Sequence, residues 1–204
     1  MANINKGTPM IWFSADKHLF HEFMLRGVPP KNPPVRPMFS TVEEMNETIV
    51  ARHNEVVKKG DLVYELGDMF LKCDVEAARQ MKRRMTGNFY YILGNHEAVT
   101  ENLTEEFVWM RNLERIRPRA FAAPHITLCH YAMRTWNGSH KGTWQLYGHS
   151  HGQLPERPEL LSFDVGVDCW NFYPISIEQV IKKMTAKIPA WEAWKQRVGR
   201  YVGI

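Results

Sequence analysis

The sequence predicts an α/β fold in which five buried strands each end at a side chain suited to metal binding. Short apolar runs bounded by glycine or aspartate recur along the chain, and runs of this length are typical of buried strands. Segments with the apolar spacing of helices separate the first three runs. Ligands of open α/β sheets bind at the carboxyl ends of strands, which is where these polar side chains stand.

Each apolar run leads directly into a polar motif. The first two runs lead into D-x-H and G-D, the third into G-N-H-E, the fourth into a single histidine and the fifth into G-H-x-H. The runs cover residues 10–14, 62–66, 89–93, 126–129 and 144–147. Any one of these motifs is short enough to occur by chance. The prediction therefore rests on the occurrence of all five after apolar runs of the same chain.

Between the first two strands the sequence predicts a loop and then a helix. Residues 27–38 contain five prolines, which exclude a regular helix or a central strand and predict a long loop near the mouth of the site. Ser40 or Thr41, with Glu43 or Glu44 three residues later, forms a capping-box pattern. A helix is therefore expected to return the chain to the second strand.

Further elements follow the second strand. Asp74 is a candidate N-cap for a helix that ends before Gly87. Residues 101–113 are predicted to be helical, and residues 163–167 alternate as a strand does. Beyond the third strand, the pattern changes from alternating helices and strands to strands joined by turns.

The C-terminal part is predicted to be helical. Ser176 with Gln179 indicates a helix start, and Pro189 is expected to interrupt that helix. One helical face beyond the proline holds Trp191, Trp194, Val198 and Tyr201. This face either packs on the domain or forms a contact between two copies of the chain.

Composition favours a single domain that spans residues 1–204. The 44% hydrophobic content can bury a substantial core. A net charge of +4 is compatible with an anionic substrate but falls short of a basic arm that would identify nucleic acid. Three separated cysteines favour a reducing compartment. No apolar run approaches the ~20 residues that span a bilayer, so we expect a cytoplasmic protein without a membrane partner.

The five motifs, in this order, resemble those of the calcineurin-like metallophosphoesterase superfamily. Residues 130–152 further resemble a compact subgroup of these enzymes from bacteria and bacteriophages. The resemblance implies a four-layer α/β/β/α sandwich with two mixed sheets. It also implies that a phosphate mono- or diester is hydrolysed by hydroxide that two metal ions activate.

The resemblance assigns seven metal ligands. The first ion would be held by Asp16, His18, Asp68 and His151, and the second by Asp68, Asn95, His130 and His149. Asp68 would bridge the two ions. Mixed imidazole, carboxylate and amide ligands suit divalent transition metals, with manganese favoured and iron, nickel, cobalt or zinc as alternatives.

Two neighbouring residues are assigned by the same resemblance. His96 would protonate the leaving group or stabilise the transition state, and Glu97 would orient His96 through a hydrogen bond. Glu97 stands where the superfamily more often has aspartate.

Local spacing supports convergence of the ligands, because residues two apart in an extended segment point to the same side. Asp16 and His18 could thus converge, as could His149 and His151. The intervening Lys17 would then point away, either to a substrate phosphate or into solvent.

Several other residues are candidates with two open interpretations. His21 and His140 either line the pocket or lie outside it, and Arg134 either binds a substrate phosphate or forms a surface salt bridge. Trp136 could stack on an aromatic leaving group. Asp61 precedes its strand and is predicted to be a turn residue.

Two other functions compete with a small-molecule phosphoesterase. A nuclease could use the basic residues 82–84 and the arginines of residues 111–119, although such clusters are more often solvated faces. A non-catalytic metal-binding subunit is disfavoured because every catalytic position is present. The sequence leaves the physiological substrate and the oligomeric state open.

Overall fold

In a computed structural model, which describes residues 7–27 and 33–202 and the side chains as far as residue 197, nine strands form two sheets. The strands are β1 Ile11–Ser14, β2 Leu62–Glu65, β3 Asn88–Ile92, β4 Trp109–Arg111, β5 Leu113–Ile116, β6 Ile126–Cys129, β7 Trp144–Tyr147, β8 Ser162–Asp164 and β9 Ile175–Ser176. The helices are α1 Phe23–Arg26, α2 Val42–Val56, α3 Val75–Arg83 and α4 Ile177–Val202. All five strands predicted from the apolar runs are confirmed.

Both sheets are mixed, which confirms the predicted α/β class. The first sheet has the order β4-β3-β2-β1-β9, with β1 to β4 parallel and β9 antiparallel to β1. The second has the order β5-β6-β7-β8, with β5 antiparallel to β6 and the other pairs parallel. The carboxyl ends of β1, β2 and β3 therefore lie at one edge of the first sheet, and those of β6 and β7 at one edge of the second.

The predicted helix starts are confirmed by their side-chain bonds. The Thr41 hydroxyl accepts a hydrogen bond from the Glu44 backbone N–H at 3.1 Å, so α2 begins as expected. Asp74 caps α3 through the Ala77 N–H at 2.7 Å. At the start of α4, Ser176 and Gln179 each bond to the other's backbone N–H, which forms a capping box.

The hydrophobic core forms two clusters. The first core cluster joins side chains of both sheets and of α4; it includes Phe13, Tyr64, Leu128, Leu146, Phe163 and Met184. The second core cluster joins the first sheet to α2 and α3; it includes Val63, Phe89, Met45, Ile49 and Met81. Because strand side chains alternate, the neighbours Val63 and Tyr64 enter different clusters.

The predicted helix over residues 101–113 is wrong. Two short 3₁₀ turns, Thr100–Asn102 and Thr104–Glu106, are followed by β4. Trp109 pairs with Tyr90 in the parallel register of β3 and packs edge-on against its ring at 5.4 Å between ring centroids. Pairing at the sheet edge thus outweighs the weak helical propensity of this segment.

Two other boundaries differ from expectation. Helix α4 continues through Pro189 rather than stopping there, because Ile188 and Trp191 on either side pack against the first core cluster. The predicted strand at residues 163–167 is shorter, since Val167 lies in the 3₁₀ turn Val167–Trp170.

Val198 and Tyr201 of the predicted aromatic face have side chains outside the described part. Within the described residues, no helix combines the length and the apolar character that crossing a bilayer requires.

Candidate metal centre

The loops that follow β1, β2, β3, β6 and β7 bring all seven predicted ligands together. They form two three-residue groups, and within each group the donor atoms lie within 4.8 Å of one another. The first group is Asp16, His18 and His151, and the second group is Asp68, His130 and His149. Asn95 joins the second group, because its Oδ1 lies 3.0 Å from Nε2 of His130.

Asp68 lies between the two groups. Its Oδ2 is 3.6 Å from Nε2 of His18 and 3.6 Å from Nε2 of His130. Its Oδ1 accepts hydrogen bonds from the backbone N–H groups of Asn95 and His96, both at 2.9 Å. One oxygen is thus held by the β3 loop, while the other faces a histidine of each group.

The backbone at five of the seven predicted ligands is left-handed rather than extended, which corrects the expectation from spacing. The φ angles are 56° at Asp16, 47° at His18, 56° at Asp68, 67° at His149 and 47° at His151. Such angles are uncommon for residues other than glycine, although aspartate and histidine adopt them more readily than most. Strained backbone of this kind clusters at functional sites. Here it turns the loops sharply enough to aim the ligands at one another.

Two glycines allow the close approach of the loops. A Cβ atom on Gly94 would lie 2.2 Å from Oδ1 of Asp68, and one on Gly148 would lie 2.5 Å from Oδ2 of Asp16. The same Asp16 oxygen accepts the His149 N–H at 2.8 Å. The glycine that precedes Asn95 and the one that precedes His149 are therefore required by the contact with an aspartate ligand.

Several polar atoms of the first group are buried without a partner among the described residues. They are Oδ1 of Asp16 and both ring nitrogens of His18. Burial and the nearby carboxylates of Asp164 and Asp68 raise the pKa of Asp16 well above its usual value. Burial and the neighbouring His151 lower the pKa of His18, so one ring nitrogen keeps a free lone pair for a metal ion. Buried polar atoms normally have partners, and a divalent cation would satisfy Oδ1 of Asp16 and that nitrogen of His18.

In the second group, a hydrogen bond fixes the ring of the buried ligand His130. Nδ1 of His130 donates to the Leu66 carbonyl at 2.7 Å, because a carbonyl can only accept. Nε2 of the same ring faces oxygen atoms of Asn95 and Asp68. A cation between these atoms would bind all three. The residues present therefore fit two divalent metal ions.

Sequence reasoning missed two residues that support the first group. Asp168 accepts a hydrogen bond from Nδ1 of His151 at 2.7 Å and a bidentate pair from Arg36. Burial alone would raise the pKa of Asp168, but the hydrogen bonds from His151 and Arg36 lower it overall. Asp168 stands after a strand and a glycine, much as Asp68 does, and this pattern could have indicated it. Arg36 has no comparable signal, because the proline-rich segment lacks periodicity.

Asp164 holds the loop that carries His149 and His151. Its Oδ2 accepts the Ser150 hydroxyl at 2.5 Å and the Gly152 N–H at 3.1 Å. The loop between β7 and β8 is thereby fixed by the end of β8.

His96 and His21 border the first group. The His96 ring is exposed and lies 5.6 Å from the ring of His18, between centroids, and the His21 ring lies 5.4 Å from it. Burial, followed by the charge of His96, lowers the pKa of His21 to about 4. Both residues thus stand where the sequence predicted that the pocket would be.

Glu97 does not orient His96, which corrects the expectation from the resemblance. Its Oε1 accepts the Gly94 N–H at 2.7 Å and the Asp68 N–H at 2.9 Å, and both carboxylate oxygens contact the Tyr91 hydroxyl. Through these hydrogen bonds, the longer glutamate side chain connects the loop after β2 to the loop after β3.

Lys17 points neither to solvent nor into the pocket, so both interpretations of it are wrong. It is 1% exposed, forms an ion pair with the buried Glu65 and donates to the Ser14 hydroxyl at 2.6 Å. Ser14 and Glu65 are opposite each other in the β1–β2 register. Burial lowers the pKa of Lys17, an effect that Glu65 opposes.

Arg134 lines a cavity to which the two ligand groups do not contribute. The cavity has a volume of about 460 Å³ and is also lined by His140 and Trp194, and no residue of the two groups is among the described residues that line it. Trp136 is buried in the first core cluster and its Nε1 bonds to the Thr143 carbonyl, so it is not free to stack on a substrate.

Asp61 and His53 form structural contacts and belong to neither three-residue group. Asp61 accepts hydrogen bonds from the Met10 and Lys58 N–H groups at the amino end of β2, which confirms its role as a turn residue. His53 is buried against Phe89 and bonds to the Thr86 carbonyl at 2.8 Å.

Comparisons with known proteins give one relative and one similar fold. No protein-family model matches the chain. The crystal structure of the protein of unknown function AQ665 from Aquifex aeolicus is similar, with a TM-score of 0.63 and 18% identity over 85% of this chain and 98% of that one. The uncharacterized protein MJ1445 of Methanocaldococcus jannaschii is 30% identical over 150 residues, which cover 71% of this chain and 77% of the relative. The chain belongs to the family of MJ1445.

Proposed function

We propose that the protein is a dinuclear metal-dependent phosphoesterase that hydrolyses a phosphate mono- or diester. The observation that carries the proposal is the position of Asp68, whose Oδ2 lies 3.6 Å from a histidine nitrogen of each group. A carboxylate oxygen between two sets of donors is the arrangement that a pair of bridged ions requires.

The donor set also supports the choice of ion. Four imidazoles, two carboxylates and one amide suit manganese, iron, cobalt, nickel or zinc better than calcium or magnesium. When bound, two such ions supply a nucleophilic water at neutral pH and neutralise the phosphoryl oxygens.

The chain's own residues complete the reaction. The His96 backbone is held by Asp68 while its ring remains exposed beside the first group, so it can donate a proton to the leaving-group oxygen. His21 is neutral at neutral pH, because its pKa is lowered, and its ring can hydrogen-bond a substrate oxygen.

Charge pairing favours a small ester over a nucleic acid as substrate. Within the basic segment 82–84, Arg83 pairs with Glu106 at 2.7 Å and Arg84 pairs with Glu47 at 2.5 Å. Lys82 is buried over the Phe89 ring. Cations that are already paired or buried offer little to a phosphate backbone.

We also propose the four-layer arrangement and a cytoplasmic location. The first core cluster joins the two sheets and the second joins the first sheet to α2 and α3, as a face-to-face sandwich with outer helices requires. Cys73, Cys129 and Cys169 are all free thiols, as is usual in a reducing compartment.

The test is hydrolysis of p-nitrophenyl phosphate and bis-p-nitrophenyl phosphate by protein stripped of metal and reloaded with manganese, nickel, cobalt, zinc or magnesium. We expect metal-dependent turnover, and the preferred ester identifies a monoesterase or a diesterase. His96→Ala should lower turnover by about two to four orders of magnitude while both ions remain bound.

His140→Ala is the matched control, because His140 is an exposed histidine outside the two groups. Its turnover should equal that of the wild type. Loss of metal in His96→Ala would show that His96 is a ligand, and no turnover on either ester with two ions bound would contradict the proposed activity on simple esters.

A further inference from the structure

Arg36 is a buried cation whose hydrogen bonds converge on one part of the metal centre. It is 0% exposed. Its Nε and Nη2 donate to the two oxygens of Asp168 at 2.7 and 3.0 Å. Nη2 also donates to the Asp16 carbonyl at 2.6 Å, and Nη1 donates to the Lys17 carbonyl at 2.7 Å. A guanidinium is buried at a cost unless it is paired, and here its donors meet four oxygen acceptors.

Besides a contact of Nη1 with Sδ of Met45 at 3.5 Å, the groups that accept from Arg36 belong to the first metal group or are attached to it. Asp168 accepts the Nδ1 hydrogen of His151 at 2.7 Å, which leaves Nε2 of that ring free as a donor to metal. The carbonyls of residues 16 and 17 lie in the left-handed turn that carries Asp16 and His18. One guanidinium therefore fixes the ring of one ligand and the backbone of the other two.

The second metal group has different supports. His130 is fixed by the Leu66 carbonyl, and Asp68 is fixed by the N–H groups of Asn95 and His96. Arg36 contacts none of these described residues. The two halves of the centre are thus positioned by separate sets of hydrogen bonds.

We propose that Arg36, acting through Asp168 and through the backbone of residues 16 and 17, is a positioning residue that builds one of the two metal subsites and leaves the other unaffected. The inference rests on the proposed dinuclear centre. The planar fork of arginine is required, because a lysine in its place offers a single charged point and cannot bridge the carboxylate and two carbonyls at once.

The first experiment is calorimetric titration of metal-free protein with Mn²⁺ and Zn²⁺, together with a count of bound metal. Asp168→Asn keeps the size of the side chain but removes its charge and one acceptor. We expect one of the two ions to bind about 10 to 100-fold more weakly in Asp168→Asn and in Arg36→Lys, and the other ion to bind as in the wild type.

The matched control is Arg52→Lys. Arg52 and Arg36 both lie over the ring of Phe172, at 5.6 and 5.5 Å, but Arg52 bonds to Asn171 rather than to the metal groups. Both affinities should remain unchanged in this variant. Should Arg36→Lys fail to fold, Asp168→Asn decides the question.

The wild type also provides a test without substitution. Nitrogen–proton correlation spectra of the metal-free protein should show a proton held at Nδ1 of His151, and Asp168→Asn should lose this fixed position. A merely structural role for Asp168 would not predict this change.

The outcomes separate the inference from the proposed function. A wild type that binds no ion contradicts both. A wild type that binds two ions, with Asp168→Asn weakening neither or weakening both equally, overturns only the positioning role.

Discussion

Some polar side chains of this protein form the two candidate metal groups. Other polar side chains are buried and support the fold. His53 shows the difference, because it packs against Phe89 of the second core cluster and belongs to neither three-residue group. It is 0% exposed, and burial lowers its pKa to about 3. A neutral ring is therefore part of the native state.

This shift predicts how stability depends on pH. The unfolded chain takes up the His53 proton near pH 6.5, whereas the folded chain does so only near pH 3, so the unfolded state binds more protons between these values. The contribution of His53 is complete above pH 6.5 and is lost as the pH falls toward 3, by up to about 1.4 kcal/mol per pH unit.

His53→Gln keeps a donor for the Thr86 carbonyl but does not titrate. The difference in free energy of unfolding between wild type and variant should narrow by about 1 to 2 kcal/mol between pH 7 and pH 5 in denaturant titrations. A difference that stays constant over this range would show that the pKa of His53 is the same in the folded and unfolded states.

Among the secondary-structure elements, the paired strands β1 and β2 lead into predicted metal ligands. They also carry buried side chains that support the loops of those ligands. The parallel register places Ser14 opposite Glu65, and Lys17 from the next turn closes the group as a buried ion pair. Glu97 makes the corresponding connection between the β2 and β3 loops. Neither contact could be predicted from the motifs, because each depends on which strands are neighbours in the sheet.

The Lys17–Glu65 pair gives an element-scale prediction. Lys17→Met should lower the free energy of unfolding by about 3 to 5 kcal/mol, because Glu65 is left buried without a cation. Adding Glu65→Leu should restore most of this loss, as measured by urea unfolding without metal. Lys58→Met, at an exposed lysine, is the control and should change stability by less than about 0.5 kcal/mol. Equal losses in the single and double variants would contradict the role of the pair.

For the whole molecule, the candidate metal centre joins the two sheets. The first sheet supplies Asp16, His18, Asp68 and Asn95 from the ends of β1 to β3, and the second supplies His130, His149 and His151 from the ends of β6 and β7. Each three-residue group contains ligands from both sheets. Bound ions should therefore stabilise the tertiary structure as a whole.

Each ion that binds only the folded state adds about 2.7 kcal/mol at a hundred times its dissociation constant. Thermal unfolding of the metal-free wild type should thus shift upward on addition of Mn²⁺ or Zn²⁺. Asp68→Asn should abolish the shift and bind neither ion tightly, because Asp68 lies between the groups.

Asp61→Asn serves as the control at the opposite end of the same strand. It should lower stability, because the amide keeps only one acceptor oxygen and loses either the Met10 or the Trp12 hydrogen bond, but keep both ions and the full metal-dependent shift. An unchanged metal count in Asp68→Asn would rule out the bridging position.

The sequence by itself determined the α/β class, the five ligand-bearing strands, the helix starts and the set of residues that meet at the centre. These features depend on local periodicity, capping and motif order, all of which are properties of the sequence alone. Only the tertiary structure decided the partners of Arg36, Asp168, Lys17 and Glu97, the left-handed backbone at five of the predicted ligands, β4 in place of a helix and the cavity that Arg134 lines. The reason is physical: these features depend on contacts between segments far apart in sequence, and such contacts determine whether a charged side chain is buried and which partner it meets.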